Sequence, residues 1–397
     1  MAATQHAAAA AELDRAKNEA RRRVDQAADD LVRLSHEIHS HPELCFEEHR
    51  ASGWVANVLA DAGVPVQSGV AGLETALTAT VGAGDLTLGV CAEYDALPMI
   101  GHACGHNVIA AAAVGTALAL DGVAQDFGLT VRLLGTPAEE GGGGKILMLE
   151  RGAFDGVHGA MMVHPAPAES RQMQALARAR FEARYQGHAA HASMFPEEGR
   201  NAADAMVVAQ VALGLLRQHL RPGEQVHGIV TASGDAPQVI PERAAATYLA
   251  RAPRSDRLDD LLRRVYACFE AGAVATQTEL TIDETALRYT DFTPHAAMTD
   301  SYVRNARALG RRFGRRAGQR QFGGSTDMGN ISQAMPAIHP LIGIDSAPAV
   351  NHQAEFAAAC VRPPADRAVV QGAVAMAWTM LDLAADAGIR SSLVGGA

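Results

Sequence analysis

At 397 residues the chain is longer than one hydrophobic core usually supports, so two domains are expected. Apolar residues make up 48% and charged residues 20%, an ordinary globular balance that excludes wholesale disorder. The formal net charge of −10 argues against nucleic acid and an anionic membrane surface as partners, although a local arginine cluster can still hold a small acidic substrate.

No stretch reaches the roughly 18 uninterrupted apolar residues that a spanning helix needs. The Ala-rich start is studded with Glu12, Asp14, Arg15, Glu19 and Arg21–Arg23, which reads as a helix and not as a secretory signal. Five cysteines (Cys45, Cys91, Cys104, Cys268, Cys360) are odd in number and widely spaced, so a disulfide framework is not expected and the cytoplasm is the natural compartment.

In chain order, helical spacing runs over Asp30–His39 and Ala51–Ala62, and Leu86–Ala92 is a short apolar strand. A small-residue helix follows at Val108–Leu120, then strands at Leu129–Leu134 and Gly159–Val163. Strands separated by helices predict an α/β sheet covered on both faces. The pattern changes near residue 175: from Ala177 to Tyr185 apolar and charged residues alternate strictly, as in an antiparallel sheet with one wet face. A helix at Ala202–Leu220, strands at Val226–Thr231 and Ala244–Arg251, a helix at Leu258–Ala271 and a strand at Glu279–Thr285 complete a β-α-β-β-α-β, ferredoxin-like unit. The α/β style then resumes with helices at Asp300–Phe313 and Arg367–Ala385. The expected division is 1–173 and 288–397 for the larger α/β domain, with 174–287 inserted into it.

Chemistry-bearing residues gather in four places, three of them just beyond predicted strands. These are Glu93-Tyr94-Asp95 with His102-Ala103-Cys104-Gly105-His106-Asn107, then Glu139-Glu140 before four glycines, His164-Pro165, and Asn351-His352. Ligands of open α/β sheets collect beyond the carboxyl ends of the strands, so these clusters can converge. Cys104, His106, Glu140, His164 and His352 are the donor types that borderline divalent cations take. Glu139, beside a ligand, is the general-base candidate. Each string alone is commonplace; their joint placement is what points to a metal. Two other readings of the same residues stand beside it: a thiol hydrolase with Cys104 as nucleophile, and a non-catalytic peptide-binding or partner subunit.

The entry segment His41-Pro42-Glu43-Leu44 with Phe46-Glu47-Glu48, and the strings AEYDALPMIGHACGHN, GTPAEEGGGGK and GGSTDMGNIS, resemble the di-metal aminoacylase and carboxypeptidase family (the M-twenty peptidases). The resemblance runs to His352 and is greatest to the branch with p-aminobenzoyl-glutamate hydrolase subunits and β-alanyl-lysine-type dipeptidases. It implies a zinc-peptidase-like α/β catalytic domain carrying an inserted lid and dimerisation domain. It also implies metal-dependent hydrolysis of a dipeptide or N-acyl amino acid through a water shared by two divalent cations, Zn2+ or Mn2+. Cys104, His106, Glu140, His164 and His352 match the ligand positions, Glu139 the base, and Asp95 the residue that orients the site. Gly187 and His191 match a Gly-x-x-x-His motif whose His reaches the partner subunit's active site and stabilises the oxyanion, which implies a homodimer. Arg251 matches the position that grips the substrate carboxylate. Asn107 and Gln238 fall at substrate-side positions where many relatives carry an acid and an Asn. Glu93 stands where the wider family has its first metal-binding His, which suggests that Cys104 substitutes for it.

Overall fold

The computed structural model describes residues 2–314 and 323–395. They form two compact units: 2–173 with 292–314 and 330–395, and 174–291 with 323–329. The second unit thus takes in a short stretch that the sequence pattern leaves with the closing half.

The larger unit opens with helix α1 (Ala2–Ser40), whose Ala, Arg and Glu content favours helix. Its buried positions Ala20, Val24, Leu31, Leu34 and Ile38 recur at helical spacing along one stripe. Helix α2 (His49–Asp61) and strands β1 (Val66–Ser68), β2 (Leu77–Gly82) and β3 (Leu86–Glu93) follow. Next come α3 (His106–Leu120), β4 (Leu129–Thr136), α4 (Gly144–Glu150), β5 (Gly159–Met161) and β6 (His164–Ala166). The sheet order is β1-β2-β4-β3-β5, with β4, β3 and β5 parallel and the β1–β2 hairpin antiparallel on one edge. Parallel strands point their carboxyl ends the same way, which brings Glu93, Thr136 and the residues after them to one edge.

In the smaller unit, β7 (Ala177–Gln186), α5 (Ala202–Leu216), β8 (Gln225–Ser233), β9 (Arg243–Ala252), α6 (Ser255–Thr276) and β10 (Glu279–Glu284) run in the β-α-β-β-α-β order that the alternation predicts. The sheet is antiparallel in the order β10-β7-β9-β8, so Arg251 lies on an interior strand and not on an edge. Every second residue of β7 is buried, and Phe181 packs with Tyr248, Tyr266 and Phe269 beneath the helices. Asn201 caps α5 by accepting from the N–H groups of Ala203 and Asp204.

The chain then continues with α7 (Ala296–Ala308), α8 (Met328–Ala334), β11 (Ala337–Ile338), β12 (Leu341–Gly343), α9 (Ala354–Ala359), α10 (Pro363–Ala385) and α11 (Ala387–Gly395). Strand β11 extends the large sheet beside β5, and β12 pairs in parallel with β6. Helix α10 is long and apolar enough to cross a membrane, but it is mostly buried against α1, α3 and α7 as a core helix. Helix α3 is buried nearly all round. A Cβ at Gly115 would lie 2.8 Å from both Ala373 and Leu31, which explains why α3 is built of small residues.

Candidate metal centre

Four peptide segments bring the candidate residues together. From β3 the chain runs through Asp95 to the loop bearing Cys104, and His106 is the first residue of α3. Gly105 joins them at φ 81°, where a Cβ would stand 2.4 Å from the Pro165 ring. From β4 it runs through the buried turn Pro137–Ala138 to Glu139 and Glu140, and β6 begins at His164. His352 arrives on the loop after β12, in a left-handed conformation (φ 68°), with its N–H donating to the Ala103 carbonyl at 2.8 Å. Asn351 fastens the same loop by donating to the Pro165 carbonyl at 3.2 Å.

The five ligand candidates and Glu139 form three overlapping sets, each with its atoms within 4.8 Å of one another: Cys104–His106–His164, Cys104–Glu140–His352 and His106–Glu139–Glu140. Cys104 Sγ lies 3.4 Å from His164 Nε2, and His352 Nε2 lies 3.7 Å from Glu140 Oε1. All five ligand candidates, and the base candidate, are therefore brought together.

Hydrogen bonds aim the ligands. Asp95 Oδ1 takes His106 Nδ1 at 2.9 Å, which turns Nε2 toward the cluster, and Asp95 Oδ2 accepts from the Glu140 N–H at 3.0 Å. His164 Nδ1 donates to the Pro165 carbonyl at 2.9 Å, leaving the Nε2 lone pair facing Cys104. Burial pulls the His164 ring down to about 4, so it is neutral at pH 7, as a ligand must be. Burial also lowers His106, but the Asp95 carboxylate outweighs it and holds the ring well above the usual value. Burial and then the Glu140 carboxylate push the Cys104 thiol well above its usual range, so a thiolate there calls for a cation beside it. Buried His106 Nε2 and Glu140 Oε1 have no hydrogen-bond partner, and both belong to the clustered sets. The donor chemistry and these two orphaned atoms fit divalent cations.

Two neighbours had no role in the sequence reading. Lys145, the residue that ends the glycine run, is fully buried with Nζ 2.5 Å from Glu93 Oε1. Glu93 Oε2 lies 3.5 Å from His106 Nε2, so the departure at Glu93 is a buried carboxylate balanced by a buried ammonium. His339 is buried with its ring 5.4 Å from that of His164, and burial holds it well below its usual value. A lysine after four glycines gives no sequence signal of burial; only the packed α4 start provides it. The glycines themselves serve packing: a Cβ at Gly142 would meet the Phe46 ring at 2.4 Å.

The remaining candidates are not members of these ligand sets. The buried amide of Asn107 donates to Ser35 Oγ at 2.8 Å and to the Cys360 carbonyl at 3.1 Å, which ties α3 to α1 and to the end of α9. His191, Gln238 and Arg251 belong to the smaller unit. His191 and Gln238 are exposed on adjacent backbone segments, where the Ala192 N–H donates to the Gln238 carbonyl at 3.0 Å. His191 Nδ1 accepts from the N–H groups of Ser193 and Met194 at 3.3 and 3.2 Å, which places its proton on Nε2. Arg251 donates to the Gly323 carbonyl at 3.1 Å and to Ser325 Oγ at 3.2 Å, within the GGSTD string.

Residues 91–367 match the family described as Peptidase family M20/M25/M40. Xaa-Arg dipeptidase of Mus musculus is 38% identical over 392 residues, covering 94% of this chain and 90% of that protein. Xaa-Arg dipeptidase of Homo sapiens is 36% identical over 380 residues, covering 91% of this chain and 87% of that protein. A p-aminobenzoyl-glutamate hydrolase subunit of Escherichia coli is 34% identical over 266 residues, covering 62% of this chain and 55% of that protein. The crystal structure of a Bacillus subtilis protein, titled a dinuclear metal binding peptidase from the M20 family, has the same fold, with a TM-score of 0.71 at 19% identity over 90% of this chain and 99% of that one. The chain accordingly belongs to peptidase family M20/M25/M40 and is a metal-dependent hydrolase acting on amide bonds.

Proposed function

We propose that this enzyme hydrolyses dipeptides, and among them those ending in a basic residue first, with two divalent cations held by Cys104, His106, Glu140, His164 and His352. The observation that carries the reading is the overlap of three ligand sets around shared Cys104, His106 and Glu140, with Glu139 in the third. A single ion needs one such set; shared members suit a pair. When bound, the cations polarise the substrate carbonyl and make the attacking water more acidic. A thiolate ligand favours zinc over manganese by softness.

Glu139, itself buried, takes the proton from the attacking water and passes it to the departing amine, so one amide and one water become an acid and an amine. His191, with Nε2–H free to donate, stabilises the oxyanion of the partner subunit's reaction, where negative charge exists only in the transition state. Arg251 takes the substrate carboxylate with the guanidinium donors that Gly323 and Ser325 leave over. The partner subunit docks on the smaller unit: Val207, Val211 and Leu215 form an exposed stripe along α5, and Ile229 and Val230 are exposed on edge strand β8. Five free cysteines support a reducing, cytoplasmic setting. The basic C-terminal residue is supported by the name of the mouse relative, Xaa-Arg dipeptidase.

The thiol-hydrolase reading loses ground because burial and the Glu140 carboxylate raise the Cys104 thiol by more than His106 lowers it. Metal analysis paired with a substrate panel tests the proposal: Xaa-Arg, Xaa-Lys, β-alanyl-lysine, p-aminobenzoyl-glutamate and N-acetyl amino acids, before and after chelation. Two equivalents of metal, with activity lost on chelation and restored by zinc or manganese, are expected. Activity that survives complete chelation sinks it.

A further inference from the structure

The motif Phe46-Glu47-Glu48 lies far from the ligands in sequence and has no part in the chemistry above. Glu48 is completely buried, and its side chain is nonetheless fully engaged. Oε1 accepts from the N–H of Ala138 at 2.8 Å and from the N–H of Phe46 at 2.9 Å, while Oε2 accepts from Thr75 Oγ1 at 2.8 Å. Thr75 is in turn fixed through its carbonyl by the buried Tyr94 hydroxyl at 2.5 Å.

Both residues whose N–H groups it holds are left-handed without being glycine: Ala138 at φ 59° and Phe46 at φ 64°. Such conformations persist only where the surroundings dictate them. Ala138 immediately precedes Glu139. Its N–H is taken by Glu48, and its carbonyl accepts from Gly142 and Gly143 at 3.0 and 2.8 Å. On the other side of Glu139, the Glu140 N–H is taken by Asp95. Two buried carboxylates therefore clamp the backbone on either side of Glu139. If Ala138 relaxed to a right-handed conformation, the peptide leading into Glu139 would rotate and carry the side chain with it.

We propose that Glu48 is a positioning residue for catalysis: by holding the strained turn at Ala138 it sets the direction of the Glu139 carboxylate. This rests on the reading of Glu139 as the base. Because Glu140 has its own anchor in Asp95, Glu48 governs proton transfer and not metal retention.

The test uses the metal-reconstituted full chain with a dipeptide identified by the substrate panel. Glu48→Met, which keeps length and removes both acceptors, is expected to lower kcat by about 100-fold, with KM changed by less than about threefold and the metal content unchanged. Glu48→Gln, which keeps an acceptor for the two N–H groups, recovers to within about fivefold of the parent. Adding Ala138→Gly to Glu48→Met restores about tenfold, since glycine adopts the turn unaided. In a Glu139→Gln background Glu48→Met costs less than about twofold more, because it acts through a group already lost.

Should Glu48→Met not fold, Thr75→Val carries the same prediction at about tenfold in kcat, since it frees one carboxylate oxygen only. Full activity of Glu48→Met, loss of metal in parallel with kcat, or an undiminished effect in the Glu139→Gln background each overturns the positioning role. Full activity of Glu139→Gln alone instead overturns the base assignment on which it stands.

Discussion

The two units treat their functional residues in opposite ways. In the larger unit the candidate groups are mostly buried and aimed by named partners: Asp95 on His106 and Glu140, the Pro165 carbonyl on His164, Glu48 on Ala138, Lys145 on Glu93. In the smaller unit His191 and Gln238 are exposed, and the Arg251 guanidinium donates to Gly323 and Ser325. Groups that hold cations and move protons gain from rigid placement, since small displacements cost large factors in rate. Groups that meet a substrate or a second subunit must first be accessible to it. The difference predicts that changes in the larger unit disturb chemistry, metal affinity and stability, whereas those in the smaller unit disturb turnover alone.

The largest effect is expected at Glu139. Glu139→Gln should lower kcat by about 10²–10⁴-fold while metal analysis shows unchanged content. A metal-depleted but otherwise competent variant would recast Glu139 as a ligand. Next, Lys145→Met takes from the buried Glu93 carboxylate the ammonium 2.5 Å away and should cost about 3–5 kcal/mol in chemical denaturation. The double variant with Glu93→Leu should recover most of that loss; no recovery would mean that the lysine has a more important partner.

His191→Ala is the probe of the smaller unit. It should lower kcat by about 100-fold or more, as removal of an oxyanion donor does. Unfolding free energy should stay within about 0.5 kcal/mol of the parent, as is usual for an exposed side chain. A comparable loss of stability would erase the contrast between the units. Asp95→Asn releases the aim of His106 and should weaken metal binding by about 10–100-fold, read by calorimetric titration of the metal-free protein.

The smallest effect concerns pH. Burial, followed by the Asp95 charge, raises the Glu48 carboxyl to about 7. On acidification from pH 8, the folded chain then takes up this proton before the unfolded chain does, and the parent gains stability from that site. Glu48→Gln cannot do so. Its unfolding free energy relative to the parent should therefore be more favourable at pH 8 than at pH 5, by roughly 2–3 kcal/mol at most. An unchanged difference across that range would place the Glu48 carboxyl at an ordinary value.

The sequence by itself determined the things that follow from local pattern. Strict alternation from Ala177 to Tyr185 is enough for a half-wet antiparallel strand, and the apolar run Leu86–Ala92 is enough for a buried one. The ordered strings around Cys104, His106, Glu139, Glu140, His164 and His352 were enough to name residues that the fold brings into one cluster, because donor type and position beyond a strand are both written locally. Short pieces such as β6, β11 and β12 were not legible, since two or three residues carry no period.

The roles of Asn107, Glu48 and Lys145 were decided by tertiary structure alone. Asn107 follows a ligand candidate in sequence, yet its amide is bonded to Ser35 on α1, since helix geometry puts neighbouring side chains on different faces. Glu48 and Glu47 are indistinguishable as letters, but one is completely buried under the turn before Glu139 and the other is not. Lys145 reads as a solvated end to a glycine run and is in fact a buried counter-charge. Burial and pairing depend on residues distant in the chain, and that is information only the folded arrangement contains.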